Sequence, residues 1–115
     1  MDIDSLTALS PVDGRYGRAA DSLRPFLSES GLIRERIRIE AAWLITLATQ
    51  VPQILHEPLP AAVLACAQSL AAEPDASAAA DVKSIERQIN HDVKAIEYYV
   101  RRRLEAAGAS PAVLE

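Results

Sequence analysis

The sequence has few of the residues that build disulfides and large cores: one cysteine, four glycines and five aromatic side chains in 115 residues. A lone thiol cannot form an internal disulfide, so nothing in the chain requires an oxidising compartment. No histidine and no second cysteine lies at a ligand or nucleophile-partner spacing from Cys66. We therefore interpret Cys66 as a small buried hydrophobe.

Long hydrophobic runs and an excess of basic charge are also missing. No segment approaches the roughly 20 apolar residues that span a bilayer. The start, MDIDSLTALSPVDGR, carries acids where a signal peptide needs a basic region and an apolar core. Twelve basic against sixteen acidic side chains give a net charge of −4, which argues against a nucleic-acid-binding surface. We expect a cytoplasmic protein with no membrane and no nucleic-acid partner.

Alanine, the strongest helix former, is abundant and occupies 21 positions. No segment has the pattern of a strand in a sheet. We predict an all-α fold, with one helical domain over 1–115. An N-terminal arm at 1–27 precedes a few helices, two of them long and packed antiparallel. The helices are expected at 28–50, at 61–72 and, as one long helix, at 76–105.

The longest predicted helix carries a continuous apolar seam with 3-4-4-3-4-4 spacing: Val82, Ile85, Ile89, Val93, Ile96, Val100 and Leu104. This spacing is typical of a bundle helix with a partner along its whole length. The helix at 28–50 is too short to cover it, so a further partner surface is expected. The charged residues of helix 28–50 are interpreted as a solvated face with weak ion pairs: Arg34, Glu35, Arg36, Arg38 and Glu40.

A polar cluster, Asn90, His91, Asp92 and Lys94, interrupts the middle of that predicted long helix. Asn and Asp are poor residues inside a helix, because their side chains compete for backbone hydrogen bonds. With Arg87 on a neighbouring row, the cluster offers amide, imidazole and cationic donors to an anionic ligand. A solvated helix face is the alternative. The spacing does not fit a zinc site, and no metal is expected.

The glycine-flanked pair Arg15-Tyr16 is the second candidate for ligand binding. Gly14 and Gly17 allow a ligand to approach the backbone closely, and the guanidinium and phenol are planar donors for phosphate or carboxylate. An exposed turn with an aromatic anchor is the alternative.

The two candidates together resemble the adenylosuccinate lyase family, through SPVDGRYG at 10–17 and IERQINHDVKAIEYY at 85–99. The resemblance extends across essentially the whole chain. It implies membership of the fumarase/aspartase superfamily, whose members are homotetrameric. It also implies β-elimination of fumarate, which adenylosuccinate lyases carry out without a metal or organic cofactor. It implies that adenylosuccinate is the nucleotide substrate, and that the substrate-binding residues are Arg15, Tyr16, Asn90, His91 and Asp92.

The resemblance also implies that the general acid and base lie in later domains, so no catalytic residue is expected among these 115 residues. We expect the N-terminal domain of the lyase, inactive when isolated. A helical interaction module without enzymatic role, or another lyase of the superfamily, is the alternative.

Overall fold

The computed structural model of the chain describes residues 4–114. Within this range the chain forms six α-helices and no β-strand, which confirms the all-α prediction. Two short 3-10 helices are also present: Asp21–Leu23 precedes the first α-helix, and Pro52–Ile54 lies between the second and the third. The α-helices are α1 (Arg24–Leu27), α2 (Glu29–Gln50), α3 (Ala61–Ala72), α4 (Ala78–Ile89), α5 (Asp92–Ala106) and α6 (Pro111–Leu114).

Contacts within the chain group its residues into two compact units, Met1–Leu32 and Ile33–Glu115. The expectation of one domain over 1–115 stays a prediction. Residues 1–3 of the predicted arm and Glu115 lie outside the described residues.

The first unit ends in a tight corner between α1 and α2. The hydroxyl oxygen of Ser28 accepts a hydrogen bond from the backbone N–H of Gly31 at 3.1 Å, as an N-cap does. Gly31 is buried, and a Cβ atom at this position would lie only 2.6 Å from the carbonyl oxygen of Pro25. The corner therefore requires a residue without a side chain.

The prediction of one continuous helix over 76–105 is wrong, because the chain reverses direction at Asn90 and His91. Arg103 forms an ion pair with Asp75, 28 positions earlier. In a continuous helix these residues would lie roughly 40 Å apart, at about 1.5 Å per residue. The segment is instead a hairpin of α4 and α5. The second long helix of the expected antiparallel pair is thus two shorter helices that pack on each other.

The second unit has one hydrophobic core, to which α2, α3, α4 and α5 contribute. Most of the predicted seam is buried in it, while Val93 is exposed beside the chain reversal. Ile33, Ile37 and Ala41 of α2 are buried in the core. Leu32, Ile39 and Trp43 of the same helix are exposed. Among the described residues, no helix is long and apolar enough to cross a membrane.

Candidate functional site

The turn between α4 and α5, residues 90–92, contains three of the predicted binding residues. Asn90 ends α4 in the left-handed conformation, with φ 54° and ψ 37°, and its backbone N–H donates to the carbonyl of Glu86 at 2.7 Å. Asparagine tolerates this region better than most residues with a side chain, because its short amide bonds locally. Asn90 is therefore a helix C-cap rather than a residue inside a helix.

His91 is extended, with φ −145° and ψ 109°, and its side chain caps α5. The Nδ1 atom accepts a hydrogen bond from the backbone N–H of Lys94 at 3.1 Å. A nitrogen that accepts a hydrogen bond carries no proton, so a neutral imidazole in this position has its proton on Nε2. The His91 side chain is exposed, and its Nε2–H is not used by the cap.

Asp92 opens α5, where a negative charge is favourable beside the free N–H groups of the first turn. Hydrogen bonds from the backbone N–H of Val93 and then from the Arg36 guanidinium hold the pKa of Asp92 below its ordinary value of 3.8. Arg36 Nη1 lies 3.1 Å from Asp92 Oδ2. The carboxylate is therefore already engaged within the protein.

The charged residues of α2 do not form only a solvated face, because Arg36 and Arg38 bond to other parts of the chain. Arg36 connects α2 to the turn at residues 90–92, and Arg38 Nε donates to the carbonyl oxygen of Ala71 at 3.1 Å. Both side chains are partly exposed. Arg36 is the site residue that the sequence analysis missed, because its partner is 56 positions away and only the fold brings them together.

One other donor of the predicted cluster, Lys94, is already engaged within the chain. Lys94 forms an ion pair with Glu97 at 2.8 Å and lies 5.9 Å from the ring centroid of Tyr98. The hydrogen bond and charge of Glu97 raise the pKa of Lys94. Arg87 is exposed near the end of α4. The turn thus offers Asn90 and His91 to an anion more directly than Lys94.

Arg15 and Tyr16 lie in the first unit, in a succession of turns. The backbone N–H of Tyr16 donates to the carbonyl of Pro11 at 2.9 Å. The guanidinium of Arg15 lies over the ring of Tyr16, 4.6 Å from its centroid, in a cation–π arrangement. Both side chains are exposed. Arg15 also lines an open groove of about 780 Å³ with Ser5, Leu6, Ala8, Pro11, Gly14 and Arg18.

Arg24 fixes the conformation of these turns from the start of α1. Its guanidinium bonds the carboxylates of Asp13 and Asp21, each at 2.8 Å, and the carbonyl of Gly17 at 3.2 Å. The hydrogen bonds to Asp21 and then Asp13 raise the pKa of Arg24. The predicted binding pair therefore lies in a loop that is stabilised by the ion pairs of Arg24. The sequence analysis did not identify this role of Arg24.

Cys66 is partly buried against the core, and its thiol donates to the carbonyl of Arg103 at 3.6 Å. Within residues 4–114 no group of three or more His, Cys, Asp or Glu side chains is placed to hold a metal ion. The chemistry that the two candidate segments offer is hydrogen bonding and charge for an anionic ligand.

Comparison with known proteins identifies relatives for nearly the whole chain. It is 39% identical over 104 residues to adenylosuccinate lyase of Escherichia coli K12, an alignment covering 90% of this chain and 23% of that protein. Adenylosuccinate lyase of Vibrio cholerae O395 is 38% identical over 115 residues, covering 100% and 25%. The same-named protein of Legionella pneumophila Corby is 34% identical over 107 residues, covering 91% and 23%.

These relatives confirm the resemblance to the adenylosuccinate lyase family. The chain spans about a quarter of the length of the curated relatives that it matches. No family model matches the chain.

Proposed function

We propose that this chain is the N-terminal, substrate-binding part of an adenylosuccinate lyase. The observation that carries the proposal is the similarity to proteins of that name over 90 to 100% of the chain, at 34 to 39% identity. The whole enzyme would eliminate fumarate from adenylosuccinate to give AMP, and from the succinyl-carboxamide ribotide of purine biosynthesis.

The proposed binding residues are Arg15 and Tyr16 in the first unit and Asn90, His91 and Asp92 in the second. The substrate carries a phosphate and two carboxylates, for which guanidinium, phenol, amide and imidazole donors are suitable partners. Two features support this assignment. Arg15 is exposed on the loop that Arg24 stabilises, and the His91 side chain, whose Nδ1 caps α5, has its Nε2–H available as a donor. The general acid and base of the elimination would come from other parts of the enzyme.

The same proposal includes the assembly and location of the enzyme. We place it in the cytoplasm as a homotetramer that needs no metal or organic cofactor. Exposed apolar residues on α2, Ile39 and Trp43 among them, are compatible with burial against further protein.

The test is fumarate release from adenylosuccinate by the full-length protein that contains these residues. We expect activity, and a marked rise in KM or fall in kcat/KM in Arg15→Ala and His91→Ala. His56→Ala is the matched control, because His56 is an exposed histidine in the connection between α2 and α3. A full-length protein that does not act on adenylosuccinate would contradict the proposal.

The isolated 115-residue chain is expected to be inactive. Fumarate release by this chain alone would show that the acid and base lie within it. Unchanged kinetics in both Arg15→Ala and His91→Ala would contradict the proposed binding role of these residues, but not the proposed lyase activity.

A further inference from the structure

An ion pair joins the turn at residues 90–92 to α2. Arg36 Nη1 and Asp92 Oδ2 are 3.1 Å apart, and the side chains are 30% and 55% exposed. The two residues lie 56 positions apart in the chain. Because Asp92 is the first residue of α5, this pair connects the start of that helix to α2.

The Asp92 carboxylate has a guanidinium partner within the chain. It accepts a hydrogen bond from Arg36 Nη1 at 3.1 Å, and it lies at the first turn of α5. An unpaired carboxylate beside an anionic substrate would repel it, whereas one paired with a guanidinium is locally neutralised. The geometry thus suits Asp92 to shaping the turn.

His91 depends on the same arrangement. Its Nδ1 is occupied by the N–H of Lys94 in the first turn of α5, so the orientation of the imidazole follows that of the helix start. A fixed helix start keeps Nε2–H in one direction, as a hydrogen-bond donor.

We propose that Arg36 is a positioning residue for substrate binding, acting through its ion pair with Asp92 to orient the imidazole of His91. The proposal rests on the proposed function for the identity of the substrate, an adenylosuccinate-type dicarboxylate nucleotide. Asp92 is the residue through which Arg36 acts, so its part in the proposed binding turn is to position His91, while Asn90 and His91 supply the hydrogen-bond donors for substrate.

The first test is steady-state kinetics of the full-length enzyme with Arg36→Gln, Arg36→Lys, Asp92→Asn and the double variant. We expect KM to rise about threefold to tenfold in Arg36→Gln, with a smaller change in kcat, because binding geometry is disturbed. Arg36→Lys retains a cation and should recover most of the loss. The double variant should be no worse than the worse single variant, since each breaks the same pair.

Arg101→Gln is the matched control. Arg101 lies on α5 in an exposed pair with Glu105 at 3.4 Å, so the control removes an arginine and an ion pair without touching the turn. An unchanged KM in Arg36→Gln would overturn the proposal, as would effects of Arg36→Gln and Asp92→Asn that multiply in the double variant.

The second test does not depend on the substrate. Diethyl pyrocarbonate acylates an unprotonated imidazole nitrogen, and the modification of each histidine in the folded full-length protein is followed by mass spectrometry. We expect Arg36→Gln to increase the rate at His91 about threefold or more, since Nδ1 loses its fixed partner when the helix start is released. His56 serves as an internal reference, and Arg101→Gln should leave both rates unchanged.

The two tests separate the two proposals. An unchanged His91 rate in Arg36→Gln would overturn the positioning role, whatever the enzyme acts on. A changed rate in a protein that does not act on adenylosuccinate would support the coupling of Arg36 to His91 and contradict the proposed substrate.

Discussion

The Nδ1 atom of His91 accepts a hydrogen bond from the backbone N–H of Lys94 at 3.1 Å. A residue proposed to bind substrate therefore also caps the helix that follows it. The two roles use different nitrogens of one ring. They can therefore be separated by substitution.

His91→Asn should separate capping from binding. Asparagine is among the best N-cap residues, and loss of a capping side chain to alanine costs about 1 kcal/mol. We expect His91→Ala to lose about that much free energy of unfolding, and His91→Asn to stay within about 0.5 kcal/mol of the unmodified chain, by denaturant titration. Both variants should lose catalytic efficiency in the full-length enzyme. Full activity in His91→Asn would show that only the cap is needed.

Asn90 allows the backbone and the side chain to be tested separately. Its φ of 54° is strained for most residues with a Cβ atom. Asn90→Ala should lower the free energy of unfolding by about 1 kcal/mol, whereas Asn90→Gly should not lower it, because glycine enters this region freely. If the amide contacts substrate, Asn90→Gly should still raise KM. A KM unchanged in Asn90→Gly would limit Asn90 to its backbone role.

Asp92 predicts a difference in stability at acid pH. Its pKa is lower in the folded chain than the ordinary 3.8, so the ionised carboxylate stabilises the fold above about pH 4 and loses this effect as pH falls further. We expect Asp92→Asn to be less stable than the unmodified chain at pH 7, and the difference to shrink below about pH 4. A difference independent of pH would contradict the lowered pKa.

Gly31 predicts an exception to helix propensity. Alanine is normally favoured over glycine inside a helix by about 1 kcal/mol. Here the added Cβ would lie 2.6 Å from the Pro25 carbonyl oxygen, so we expect Gly31→Ala to destabilise the chain by about 1–3 kcal/mol. Ser30→Ala, at the exposed neighbouring position, is the control and should change stability by less than about 0.5 kcal/mol. A stabilised Gly31→Ala would show that the corner relaxes.

Ile37 and Ile39 form a matched pair on α2, with exposures of 0% and 67%. Ile37→Val should cost about 1 kcal/mol, because it removes a buried methyl group. Ile39→Val should change stability by less than about 0.5 kcal/mol. Thermal or denaturant unfolding of the two variants measures the difference, and equal losses would contradict the orientation of α2.

Local sequence patterns correctly predicted the all-α class and most of the buried residues of the last two helices. The seam spacing predicted the buried positions of Val82 and Ile96, and alanine content predicted the all-α class. The prediction of a continuous helix was wrong at one place. The 3-4 spacing of apolar residues continues across Asn90 and His91, although the chain reverses direction there. The signal for the break was present: an asparagine suited to end one helix directly precedes a histidine and an aspartate suited to begin another.

The site was predictable only in part, for a physical reason. Arg15, Tyr16 and the residues 90–92 stand in short motifs that a sequence displays directly. Arg36 and Arg24 act through partners fixed by folding, and Arg36 is separated from Asp92 by 56 positions. Their charges alone were indistinguishable from those of an ordinary solvated surface.

The reversal between α4 and α5 leaves only Asn90 and His91 outside the two helices. One ends a helix and the other begins the next, so neither is a spacer. An inserted residue would displace the start of α5 relative to the end of α4 and separate His91 or Asp92 from its partner. Chain length at this turn should therefore tolerate no change, whereas the connection between α2 and α3, with ten residues between Gln50 and Ala61, has room to vary.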